Sequence, residues 1–160
     1  MAALDVIVTR VLAWVLVLLF ALVLGGQAFD AFVLVPIWSE HPPESVDRWL
    51  DTPAAGRVPR YFMRLLPPLL IISLAAAACA LFTHVTHRGW LLVAAACGVT
   101  HLALVRIVFV PTNRALGFLP SQSADAPPDK VRLVRAWVRW NSVRLMIDFI
   151  GLLASVSAIS

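Results

Sequence analysis

The chain has 160 residues, of which 61% are apolar and 14% charged, a composition too hydrophobic for an ordinary soluble domain. The length excludes two membrane domains, so we predict that residues 1–160 form one integral membrane domain. The formal net charge of +4 indicates contact with lipid headgroups rather than with nucleic acid.

Hydropathy predicts four membrane-spanning helices, at about residues 11–37, 61–83, 89–112 and 136–159. Each run approaches the roughly 20 residues that a helix needs to cross the hydrocarbon core. Leu, Ala and Val dominate these runs, and none alternates polar and apolar residues as a membrane barrel strand does. The predicted fold class is all-α, a four-transmembrane-helix bundle with a cytoplasmic extension of helix four.

The first predicted helix contains small and polar residues in its second half. Gly25 and Gly26 allow another helix to approach closely, and Asp30 follows them. We expect Asp30 to lie at the level of the headgroups, because the helix can leave the hydrocarbon near Phe29. The alternative is an intramembrane carboxylate with a function.

A short amphipathic turn is predicted in the loop that follows this helix. Val46, Trp49 and Leu50 stand at positions i, i+3 and i+4 of a proline-rich segment. We expect this turn to lie on the membrane surface, where it can act as a lid.

The third predicted helix contributes two polar positions and a histidine. Arg106 and Asn113 are seven residues apart, so a regular helix places them on one face, and Pro111 frees a backbone carbonyl one turn earlier. His101 lies in the middle of the span, where no second histidine pairs with it to bind a metal or haem. We therefore expect a hydrogen-bonded core histidine.

The fourth predicted helix carries a polar stripe made of Trp137, Asn141, Arg144 and Asp148. Their spacings of four, three and four keep these side chains on one helix face. Because an arginine in hydrocarbon costs about 2.5 kcal/mol or more, this face is predicted to point into the bundle. Two interpretations remain: a structural polar network that ties helices together, or a binding site.

Trp137 and Trp140 flank this stripe with flat apolar surface. Beside a cation and amide groups, such a surface suits a planar, hydroxylated aromatic ligand. Tryptophans at this depth also form the ordinary interfacial belt, which is the alternative explanation.

The arginines predict the orientation of the chain. Arg10 and Arg88 lie on one side of the four spans, whereas the remaining basic residues outside the spans lie on the other. The positive-inside rule then places both hairpin loops in the cytoplasm and both termini outside.

Several catalytic classes lack their sequence signatures. Cys79 and Cys97 form no Cys-x-x-Cys pair, which argues against thiol redox chemistry. Motifs of serine nucleophiles, phosphate loops and dinucleotide-binding folds are absent from the sequence.

Two motifs carry a resemblance to a known family. The first is Val-Pro-Thr-Asn-Arg-Ala-Leu at residues 110–116, and the second is Trp-Val-Arg-Trp-Asn-Ser-Val-Arg at residues 137–144. Together they resemble the paired signature of the anthrone-oxygenase-like family of small four-helix membrane proteins. That signature is Pro-x-Asn-x-x-Leu at the end of helix three and Trp-x-x-Trp-Asn-x-x-Arg at the entry to helix four.

The resemblance implies oxidation of an anthrone-type or quinol-type compound by dioxygen without an evident cofactor. In this interpretation Arg144, Asn141 and Asn113 hold an enolate oxygen, and His101 or Asp148 is the base. Trp137 and Trp140 stack on the substrate rings, and Arg106 is the third predicted substrate-binding residue.

The predicted partners are the lipid bilayer and a lipophilic aromatic small molecule, and no metal-binding residues, cofactor or nucleic acid are predicted. A homo-oligomer or a larger membrane complex is compatible with the sequence. The alternative function, from a different class, is a non-catalytic integral subunit or binding module of such a complex, with the arginines as structural contacts. Most relatives of this family have no assigned reaction, so the resemblance implies the fold more strongly than the function.

Overall fold

The computed structural model describes residues 2–82, 87–120 and 129–159, and within these ranges the regular elements are helical. The all-α prediction is therefore confirmed. The helices are α1 Ala2–Phe29, α2 Val35–Ser39, α3 Glu44–Leu50, α4 Pro53–Phe82, α5 Arg88–Leu104, α6 Val110–Ala115 and α7 Lys130–Ser157. π-helical turns at Asp30–Leu34 and Val105–Phe109 join α1 to α2 and α5 to α6 without a break.

Among the described residues, three continuous helical segments are long and apolar enough to cross a membrane: Val6–Ser39, Pro53–Phe82 and Arg88–Ala115. They identify the chain as a membrane protein. Helix α7 is not among the three, and the polar stripe along it lowers its mean hydropathy.

The long helices pack in a ring. Helix α1 contacts α4 and α7, and α5 contacts the same two helices, so α1 and α5 lie across the bundle from each other. Leu16, Phe20 and Val23 of α1 meet Leu69 of α4 and Leu91 of α5 in the buried core. Because lipid tails are as apolar as these side chains, the association depends on close van der Waals packing.

Glycines allow this close packing at three points. A Cβ on Gly98 would overlap Ser73, and one on Gly151 would overlap the ring of Phe20. The ring of Tyr61 covers Gly26 in the same way, and its hydroxyl donates a hydrogen bond to the carbonyl of Leu22 over 2.8 Å. Small residues at these positions therefore set the distances between helices.

Both π-helical turns precede a proline. Pro36 and Pro111 lie in the first turn of α2 and α6, immediately after the wider turns. A proline has no N–H for the carbonyl one turn earlier, and a π-helical turn is one way in which a helix accommodates this loss. Each wide turn adds a residue, so it rotates the faces of α2 and α6 relative to the preceding helix.

The predicted amphipathic turn is helix α3. Its apolar face packs on protein rather than on lipid, since Val46 and Trp49 are buried in a cluster with Trp38, Leu116 and Trp137. Near its start an exposed ion pair joins Asp47 of α3 to Lys130 of α7. Helix α3 therefore docks on protein and covers one end of the bundle.

We predict that Gly151→Ala lowers the stability of the bundle by about 1–3 kcal/mol, because the added methyl group overlaps the fully buried ring of Phe20. Gly25→Ala is the matched control in α1, since a Cβ there meets nothing within 4 Å. The control should be neutral or stabilising by up to about 1 kcal/mol. Unfolding in detergent micelles measures both, and equal stabilities of the two variants would contradict this packing.

Candidate functional site

A cavity of ≈ 120 Å³ lies between the helices at the level of the two π-helical turns. This space is several times the roughly 10–15 Å³ that one water molecule requires. Its walls are mostly apolar and include six aromatic side chains, those of Trp38, Trp49, Phe62, Phe109, Phe118 and Trp137. Its polar wall residues are Asp30, His101, Asn113 and Arg144. The aromatic part of this lining suits a flat apolar molecule that carries a few polar groups.

Arg144 points into the bundle from α7 and is 6% exposed. One Nη2–H donates to Oδ1 of Asn141 over 2.6 Å, and the guanidinium carbon lies 4.2 Å from the ring centre of Phe109. The Nε atom is buried and has no hydrogen-bond partner in the described part of the chain. No carboxylate of the described residues lies within 4.0 Å of this guanidinium. The positive charge is therefore held by an amide and aromatic faces, with donor capacity left for a ligand.

Asp148, one turn further along α7, binds residues of two other helices. Its carboxylate contacts Nδ1 of His101 on α5 at 2.8 and 3.0 Å, and it accepts a hydrogen bond from Nε2 of Gln27 on α1 over 2.5 Å. All three side chains are buried. An ionised carboxylate only accepts hydrogen bonds, so a neutral His101 carries its proton on Nδ1. The other ring nitrogen, Nε2, then has a lone pair.

The Nε2 atom of His101 is buried and has no hydrogen-bond partner among the described residues, although the side chain lines the cavity. His101 is thus the hydrogen-bonded core histidine that we expected. It also lines the cavity and has a second nitrogen without a hydrogen-bond partner among the described residues. Our prediction of a core histidine did not include this feature.

Trp137 is held rigidly at the cavity wall. Its indole N–H donates to Oδ1 of Asn113 over 2.8 Å, and its ring makes edge contacts with Trp38 and Phe109 at centroid distances of 5.0 and 5.4 Å. With Oδ1 engaged in this way, the amide N–H groups of Asn113 remain available to a ligand.

The structure brings most of the predicted site residues together. His101, Asn113, Trp137 and Arg144 line the cavity. Asn141 and Asp148 lie behind them, where they hold Arg144 and His101 in position.

Two predicted substrate-binding residues lie apart from the cavity. Arg106 is exposed because it falls in the π-helical turn Val105–Phe109, whose extra residue breaks the heptad relation to Asn113. Trp140 is 38% exposed and is not a lining residue, since three residues after Trp137 the helix has turned its side chain toward the flank. We therefore withdraw the substrate-binding assignment of both residues.

Asp30 lies in the cavity wall. It begins the first π-helical turn and is only 6% exposed. The sequence signal for this position was a carboxylate inside a long apolar run. The helix continues past Asp30 through α2, so the residue lies within the helix and not at its end.

Other cavity residues gave no distinctive signal in the sequence. Trp38, Trp49, Phe62 and Phe118 come from four separate segments, and their meeting depends on how α2, α3 and the segment after α6 fold over the bundle end. Isolated aromatic residues in apolar segments are too common to predict such a meeting.

The described residues contain no cluster of three or more His, Cys, Asp or Glu side chains arranged to hold a metal ion. The side chains of His101 and Arg144, which both line the cavity, are suited to proton transfer and to binding an anion. A basic imidazole nitrogen and a guanidinium in one largely apolar space are the arrangement needed to form and stabilise an enolate.

The family model described as anthrone oxygenase matches residues 58–154, which is more than half of the chain. The matched segment contains His101, Asn113, Trp137 and Arg144. No curated protein and no solved structure matches the chain.

We predict that Trp137→Phe destabilises the protein by about 1 kcal/mol, because Oδ1 of Asn113 loses its donor. Trp140→Phe on the same helix is the control, as its exposed ring makes no such contact. Thermal unfolding of both variants in the same detergent checks this. A larger loss in the Trp140 variant would contradict the assignment of Trp137 as the buried wall residue.

Proposed function

The chain belongs to the anthrone oxygenase family, and from that premise we propose that it is a membrane-embedded oxygenase for a lipophilic aromatic compound of the anthrone or quinol type. The observation that carries the proposal is the presence of His101 and Arg144 in one aromatic-walled cavity. In this proposal the protein binds the compound from the bilayer and uses dioxygen as the oxidant, without a resident cofactor.

His101 is the proposed general base. The carboxylate of Asp148 holds the imidazole by Nδ1, so the unpartnered Nε2 is the nitrogen that accepts a proton from the substrate. An anthrone has an acidic benzylic C–H bond, and its removal produces an electron-rich enolate. A positioned base of this kind contributes typically 10²–10⁴-fold to a rate.

Arg144 is the proposed stabiliser of the enolate oxygen. Asn141 and the ring of Phe109 hold the guanidinium in place before substrate binds, so little reorganisation is needed when negative charge develops. The amide N–H groups of Asn113 are proposed as additional donors to the same oxygen.

The aromatic walls are proposed to bind the substrate rings. Trp137 is fixed by its hydrogen bond to Asn113 and by contact with Trp38, so its face is available without a loss of side-chain entropy. A planar three-ring substrate then presents its oxygen to Arg144 and its benzylic carbon to His101.

The overall reaction balances without another reductant or oxidant. An anthrone loses two hydrogens from its benzylic carbon, and that carbon gains one oxygen atom of O₂ as a carbonyl group. The second oxygen atom leaves as water with the two hydrogens.

We propose α7 as the fourth membrane crossing. Its outer face carries exposed apolar side chains, including Met146, Phe149, Leu153 and Val156, which suit contact with lipid. At 1.5 Å per residue its 28 residues extend about 42 Å, longer than a hydrocarbon core of about 30 Å. The first turns of α7, with exposed Arg132 and Arg135, are therefore proposed to extend into the cytoplasm.

The enzymatic proposal is tested with purified protein in detergent, emodin anthrone and oxygen, with anthraquinone formation measured by absorbance. We expect a rate above the spontaneous background that falls at least about 100-fold in His101→Ala and in Arg144→Ala. Arg132→Ala, which removes an exposed arginine from the same helix, is the matched control and should retain the wild-type rate. Equal rates in all variants and in empty micelles would contradict the proposal and favour a non-catalytic membrane subunit.

The orientation is tested by labelling with a membrane-impermeant thiol reagent in a background without Cys79 and Cys97. Arg10→Cys in the N-terminal part of α1 should react in intact cells, whereas Arg135→Cys in the α7 extension should react only after the membrane is permeabilised. The reverse labelling pattern would contradict the proposed topology.

A further inference from the structure

The oxygenase reaction removes a second benzylic proton after the first, and this inference rests on the proposed function. Once dioxygen has bonded to the benzylic carbon, that carbon is tetrahedral and still carries one hydrogen. When dioxygen adds to the face from which the first proton was removed, the remaining hydrogen points to the opposite face. A base on the opposite side of the substrate is then better placed than the first base to remove it.

Asp30 is the ionisable group on that opposite side. It begins the π-helical turn that continues α1, and His101 comes from α5. Helices α1 and α5 face each other across the ring of helices. Both side chains line the same cavity, and each is more than nine-tenths buried. No described residue donates a hydrogen bond to the carboxylate of Asp30. It interacts electrostatically with Arg144 without an ion pair within 4.0 Å, so its oxygens are available to a ligand.

The other ionisable groups near the cavity are less suited to this role. Asp148 is 0% exposed and does not line the cavity, and both of its oxygens are engaged by His101 and Gln27. Arg144 stays protonated and cannot act as a base at neutral pH. Among the described cavity residues, Asp30 and His101 are therefore the two that can accept a proton.

We propose that Asp30 is a second catalytic base, which removes the remaining benzylic proton from the substrate hydroperoxide on the face opposite His101. The family match covers residues 58–154 and does not include this position. Asp30 and His101 thereby divide the two proton removals between opposite walls of one cavity.

The steps balance with both groups restored. His101 takes the first benzylic proton, and the resulting enolate is oxidised as its carbon bonds to O₂, which is reduced to a peroxide anion. That anion takes the proton back from His101 and becomes a hydroperoxide. Asp30 then takes the second benzylic proton as the C–H electron pair forms the carbonyl group and the O–O bond breaks. The departing hydroxide receives the proton from Asp30 and leaves as water.

The test compares wild type with Asp30→Asn in two assays on emodin anthrone. Without oxygen, deuterium exchange at the benzylic carbon reports only the first proton removal, and we expect the variant to retain the wild-type exchange rate. With oxygen, we expect enzyme-dependent anthraquinone formation to fall at least about 10-fold. A hydroperoxide that triphenylphosphine reduces to an alcohol should accumulate in its place. Glu40→Gln, which neutralises an exposed carboxylate, is the control and should match wild type in both assays.

Two results would overturn the proposal. The first is anthraquinone formation at the wild-type rate in Asp30→Asn. The second is a parallel loss of deuterium exchange and oxidation in this variant, which would indicate that Asp30 only balances the charge of Arg144. If Asp30→Asn does not fold, the pair Asp30→Glu and Asp30→Gln replaces it, since only the former keeps a carboxylate. Quinone formation is then expected in the Glu variant alone, and equal rates in the pair contradict the proposal. A wild-type protein that catalyses neither exchange nor oxidation would instead refute the oxygenase function itself.

Discussion

The buried carboxylate of Asp148 is the constraint on which the rest of the site depends. It accepts hydrogen bonds from His101 of α5 and Gln27 of α1, so one side chain of α7 fixes the register of three helices. An unpaired charge in this environment costs several kcal/mol, which disfavours arrangements that separate these groups. The same contact leaves the second nitrogen of His101 at the cavity wall. Structural stabilisation and the proposed chemistry therefore share one residue.

The cavity also depends on two irregular helix turns. Asp30–Leu34 and Val105–Phe109 are π-helical, each precedes a proline, and they lie on opposite helices of the bundle. A wider turn changes the direction of the following side chains and interrupts tight packing. One of these turns supplies Asp30 to the wall and the other supplies Phe109, which stacks on Arg144. Backbone irregularity and the binding site thus coincide.

The success of the sequence predictions follows the regularity of the backbone. On α7 the helix is regular, so the spacing of Trp137, Asn141, Arg144 and Asp148 correctly predicted a buried face. The same reasoning failed for Arg106, because the π-helical turn between it and Asn113 changes the rotation per residue. Helical periodicity is therefore a reliable guide only where the pattern of backbone hydrogen bonds is uninterrupted.

By itself, the sequence determined the all-α class, the membrane character, the family and the inward polar face of α7, because hydropathy, motifs and short-range helical spacing are local properties. The tertiary structure alone decided that Asp148 binds His101, that Asp30 faces the cavity, and that aromatic residues of α2, α3 and α4 complete its wall. These contacts join residues far apart in the chain. They depend on helix register, glycine-mediated approach and the two wide turns, none of which has a local signature strong enough to place one side chain against another.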